Sequence, residues 1–171
     1  MRRSKKQEAG ATLIEFVLAG IPAVFLLVSI FQMSLAMWNY HTVASAARDT
    51  ARYMSLRGRG CTISGNSCSI TVGTIAQRMA QSAIGMAPDR MSVTLTTQSG
   101  QTKTCNPLNS CYSDATVWPP ASNDDNAPGN LIKISAQFSF PSPAAMVWPG
   151  SAPATVAGFT LGATSYQNII F

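Results

Sequence analysis

The chain has 171 residues, of which 46% are apolar and only 11% charged, with a formal net charge of +5. The charged share is less than half the quarter usual for globular domains, and the length fits one small domain plus an anchor. Four bases (Arg2, Arg3, Lys5, Lys6) against Glu8 supply +3 of the net charge, so the part after Gly10 carries eight bases and six acids, or +2. No basic stripe with interleaved aromatics remains there, which argues against nucleic acid as a partner.

Residues 1–10 read as a basic leader. From Phe16 to Trp38 there are 23 residues without a charge, about 34 Å of helix and enough to cross a bilayer. The leader bases favour a cytoplasmic N-terminus by the positive-inside bias, and Trp38 and Tyr40 fall where an interfacial aromatic belt stands on the far side. Pro22 removes one backbone hydrogen bond and is expected to kink the helix, which membrane helices tolerate. Glu15 is the single charge within the apolar stretch Ala11–Trp38. On insertion scales a central carboxylate costs roughly 2–3.5 kcal/mol, so its position calls for a reason.

The helical pattern continues beyond the membrane. Val43, Ala47, Ala51 and Met54 recur at three- and four-residue spacing, Arg48, Asp49 and Arg52 fall elsewhere on the wheel, and Gly58 is a natural stop. A helix over Leu13–Arg57 is about 68 Å long, so its outer half must dock on a soluble domain or on neighbouring helices. Small residues there suit close packing, and the stripe fits a stalk packed on its own domain as well as a subunit interface.

The soluble part, 58–171, is read as a small α+β domain. Thr74–Gly85 is expected to be a short helix with Ile75, Met79, Ala83 and Met86 on one side. Met91, Val93 and Leu95 alternate with Ser92, Thr94 and Thr96 as a half-buried strand. Gln98–Asn130 is long and weakly patterned, and Asp124 and Asp125 read as solvated turn residues. Leu131–Phe140 is the cleanest strand, with Ile132, Ile134, Ala136, Phe138 and Phe140 facing one way. Pro141–Gly158 is Pro/Ala/Gly-rich around the apolar island Met146–Trp148, and Phe159–Phe171 reads as the last strand. The expected sheet is antiparallel with about three strands.

Cys61, Cys68, Cys105 and Cys111 lie outside the apolar stretch, and an even count in an exported segment suggests disulfides with three possible connectivities. The local pairs Cys61–Cys68 and Cys105–Cys111 are favoured because each closes a short loop in polar sequence. Zinc is disfavoured by the wide spacing and by a single histidine, His41. No GxSxG, HExxH, P-loop or paired-carboxylate arrangement occurs, so no enzyme activity, metal or cofactor is expected. A cleaved secretory signal with Ser34-Leu35-Ala36 as its site is a poorer fit, because the apolar run is too long and holds Glu15 and Pro22.

Residues 7–58, with Gly10, Glu15-Phe16, Pro22 and the Ala/Arg-rich Val43–Arg57, resemble the TadE-like family, the pseudopilins or minor pilins of the tight-adherence pilus. That resemblance implies three regions: a prepilin leader over 1–10, a transmembrane helix with its periplasmic extension over 11–57, and a periplasmic domain over 58–171. It implies cleavage between Gly10 and Ala11 by a prepilin peptidase and a role in building a Flp-type (type IVc) pilus. Its implied partners are other pilin or pseudopilin subunits, an inner-membrane assembly platform and the lipid bilayer. Glu15, with Phe16 beside it, is then expected to pair with the freed α-amine of Ala11, its own or a neighbour's. An unprocessed single-pass anchor carrying a binding domain unrelated to pili is the alternative.

Overall fold

A computed structural model describes residues 5–62, 68–140 and 159–171. Helix α1 runs Lys5–Ser55 without interruption, 51 residues that include Pro22, or about 76 Å. It therefore takes in the second half of the basic leader and stops two residues short of Arg57. Helix α2 covers Val72–Ser82, capped by Thr71, whose hydroxyl accepts from the Thr74 N–H. It begins two residues and ends three residues earlier than its apolar spacing suggests. Ile75, Met79, Ala83 and Met86 are all buried.

The sheet has four strands, not about three: β1 Met91–Thr96, β2 Thr102–Cys105, β3 Leu131–Phe140 and β4 Phe159–Asn168. They lie in the order β2-β1-β3-β4, every pair antiparallel. The extra strand comes from the weakly patterned stretch 98–130. Its Thr-Lys-Thr-Cys sequence is too short to show alternation, and it is held at an edge by pairing Val93 with Cys105 and Thr96 with Thr102. The remainder of that stretch is tightly turned, with short 3-10 segments at Leu108–Cys111 and Ser122–Asp124. The Met146–Trp148 island lies outside the described residues.

One sheet face is apolar and the other is hydroxyl-rich, as the alternation of β1 and β3 requires. Met91, Val93 and Leu95 with Ile132, Ile134, Ala136, Phe138 and Phe140 are buried. Opposite them, Thr94 meets Thr104 at 3.2 Å and Ser135 meets Thr164 at 3.3 Å. The outer half of α1 packs on the apolar face, burying Val43, Ala46, Ala47, Thr50, Ala51 and Met54 to 1% exposure or less. The stripe that suited either a stalk or a subunit interface therefore packs on the chain's own domain. Small side chains let the helix approach β3 and β4 closely, and α2 closes the flank, with Thr50 Oγ1 3.4 Å from Met79 Sδ. Asp49 joins the two helices, accepting from Ser82 Oγ at 2.9 Å and from Arg78 Nε at 3.2 Å. The Ser82 hydrogen bond, with Arg78 beside it, holds its carboxyl below the usual range despite partial burial.

The end of α1 is locked by the C-terminal residues. Ile170 N–H donates to Ser55 O at 2.8 Å, and Ile169 N–H to Asn130 O at 2.9 Å. Gly58 sits against this strap so closely that a Cβ would stand 2.0 Å from Phe171 O and 2.3 Å from Ile169 Cγ2.

Candidate functional site

The inner part of α1 is a different environment from the outer part. Leu13, Ile14, Phe16, Leu18, Leu26, Leu27 and Phe31 are each 64% exposed or more. The helix contains an 18-residue window of mean hydropathy 2.5, none of it buried, so it is long and apolar enough to cross a membrane. The small polar side chains in this region are satisfied by their own helix: Ser29 Oγ donates to Phe25 O at 2.8 Å and Ser34 Oγ to Ile30 O at 2.9 Å. Such back-bonding makes a hydroxyl tolerable in an apolar solvent.

Two polar groups escape that solution. Glu15 is exposed, and no described residue forms an ion pair or hydrogen bond with its carboxylate. Ala11 lies in the same helix, four residues earlier and so on the same face, about 6 Å along the axis. Gln32 Nε2 is enclosed and has no hydrogen-bond partner among the described residues. Gln32, Asn39, Val43, Ala47 and Thr50 share one helical stripe by spacing, so Gln32 lies on the side that carries the domain.

Residues 10–52 match the family model described as TadE-like protein. No curated protein and no solved structure matches the chain. The TadE-like segment spans the exposed apolar half of α1, with Glu15 and Pro22, and the domain-facing stripe as far as Ala51. It ends one turn before Ser55, so the family match describes the helix and its docking face.

Two cysteine pairs stand at disulfide distance, Cys61–Cys68 at 2.10 Å and Cys105–Cys111 at 2.06 Å between sulfurs. The second pins the end of β2 to the turn that supports α2, where Leu108 and Cys111 are buried. Gly73, at the start of α2, packs on the same turn, where a Cβ would meet Tyr112 O at 2.6 Å. Among the described residues no group of three His, Cys, Asp or Glu side chains converges.

The acidic turn differs from its sequence reading. Asp124 is exposed and pairs with Arg59 at 2.6 Å, but Asp125 is 1% exposed. Its carboxylate accepts from Thr97 Oγ1 at 2.8 Å, from Ser99 N–H at 3.1 Å and from Ser99 Oγ. Burial pushes its pKa up, and the Ser99 and Thr97 hydrogen bonds more than offset that, holding the carboxyl below its ordinary value. The carboxylate ties the 122–125 turn to the β1–β2 hairpin. No spacing signal in the Asn-Asp-Asp-Asn run separates Asp125 from its neighbours.

Proposed function

We propose that this chain is a prepilin-like subunit, a pseudopilin or minor pilin, acting in assembly of a tight-adherence, Flp-type pilus. It is stored in the inner membrane with its N-terminus cytoplasmic and its C-terminal domain in the periplasm. A prepilin peptidase cuts between Gly10 and Ala11. The mature chain then engages an inner-membrane assembly platform and other pilin or pseudopilin subunits through the N-terminal helix.

One observation carries this reading: the TadE-like match falls on a helix whose inner half is exposed and apolar, with a carboxylate one turn beyond Ala11 that has no partner among the described residues. Glu15 costs free energy in a lone membrane helix. An α-amine freed at Ala11 supplies the missing partner, and in a filament that pair favours one register by leaving any misaligned charge unpaired.

Intact-mass measurement after co-expression with a prepilin peptidase tests the proposal. The expected product begins at Ala11. A membrane-inserted product that keeps residues 1–10 overturns it and favours the unprocessed anchor. The same reading places all four thiols in an oxidising compartment, so non-reducing peptide mapping is expected to link Cys61 to Cys68 and Cys105 to Cys111. Crossed links or free thiols refute the pairing.

A further inference from the structure

We infer that the lower end of the β3–β4 pair, at Phe140 and Phe159, is seated in the outer leaflet of the membrane that α1 crosses. The inference rests on the membrane-anchor part of the proposed function and adds a second, non-helical contact with lipid.

The argument is one of levels along the helix. Ile170 N–H bonds to Ser55 O, which fixes the C-terminal end of β4 at the outer end of α1. From Ile170 back to Phe159 is about 36 Å of extended chain, strand from Asn168 to Phe159. The same length measured back along α1 from Ser55 reaches about residue 31 for parallel axes, or about residue 37 for a crossing of about 40°. Burial on the helix agrees. Leu35 packs against the buried cluster, and Gln32 Nε2 is enclosed.

On the other side of the helix the same level is apolar and open. Met33 is 72%, Met37 60% and Trp38 69% exposed, continuing the lipid-facing surface without a break. Domain and exposed apolar surface therefore overlap over Gln32–Trp38, about 9 Å of rise. That matches the 5–10 Å to which interfacial elements sink at the headgroup–acyl boundary.

The strand end at this level carries the right chemistry. Phe140 and Phe159 stack with centroids 5.3 Å apart, and Phe159 remains 46% exposed. No Asp, Glu, Lys or Arg occurs from Ile134 onward in either strand — the last base is Lys133, near the far end of β3. Lipid continuous with the span is the occupant that covers Phe159, Met37 and Trp38 together.

The test uses the unsubstituted full chain in nanodiscs of phosphatidylethanolamine and phosphatidylglycerol, with amide resonances followed by NMR. A nitroxide on the lipid headgroup is expected to broaden the Phe159 and Thr160 amides severalfold more than those of Tyr166 and Asn168, about 23 Å further along the strand. An acyl-chain nitroxide is expected to broaden Leu26. Equal broadening at Phe159 and Tyr166, with Leu26 broadened, overturns the leaflet contact alone. A Leu26 amide untouched by the acyl-chain label overturns the membrane anchor itself.

Discussion

At the scale of single residues, Asp125 and Gly58 bear the most consequence. A buried carboxylate without a cation is stable only when hydrogen bonds replace its water, and Thr97 and Ser99 do this for Asp125. Its folded-state pKa is depressed, so its contribution is present above the ordinary carboxylate pKa and is lost as pH falls through the folded value. Thermal midpoints are therefore expected to drop as pH is lowered below about 4. Asp125→Asn should lower the midpoint at neutral pH by the equivalent of about 1–3 kcal/mol and flatten the acid slope. Some slope remains from Asp49, held low chiefly by Ser82, and from Asp114, held low by Lys103. An Asp125→Asn variant that keeps the parent's full acid slope would remove the assignment. Gly58→Ala is expected to cost about 1–3 kcal/mol by overpacking, read by denaturant unfolding, because the carbonyl of Phe171 and the side chain of Ile169 occupy the space. Gly58 was legible as a helix stop but not as a contact, since these neighbours lie more than a hundred residues away in the chain.

At the scale of elements, the outer half of α1 is the centre of the core. Ala46, Ala47 and Ala51 are buried where the helix packs on the domain, and larger side chains there would hold it away. Ala47→Leu is expected to destabilise the domain by about 1–3 kcal/mol, whereas Arg52→Ala, on the exposed side, should stay within about 0.5 kcal/mol; equal effects would contradict the assigned face. These elements were readable where periodicity was strong. The alternation of Leu131–Phe140 gave β3 its bounds and its buried side, and the 43–54 spacing gave the buried helical stripe. What that stripe packs against was not readable, because small residues suit a sheet and another helix equally. Strand β2 escaped because four residues rich in threonine, held by register to β1, carry no periodic signal of their own.

At the scale of the whole molecule, α1 divides into a half that is exposed among the described residues and a half built into a domain. The match over 10–52 takes in Gly10 and Glu15, and the processing and assembly roles proposed for them rest on their spacing from the basic leader. How far the domain descends along the helix was not legible, because it depends on the direction of β4. Glu15→Ala is expected to leave membrane insertion intact and to reduce pili per cell severalfold, as counted by electron microscopy of complemented cells. Undiminished piliation would dismiss the charge-pairing role. Because α1 is clamped from Val43 to Ser55 by sheet, α2 and C-terminal strap, axial pull on the anchor is transmitted to the domain without slippage. Compliance is left to the unbraced inner half, where a Cβ on Gly20 would meet nothing within 4 Å and Pro22 supplies no donor. The molecule is thus a stiff handle on a tether that can bend near its inner end.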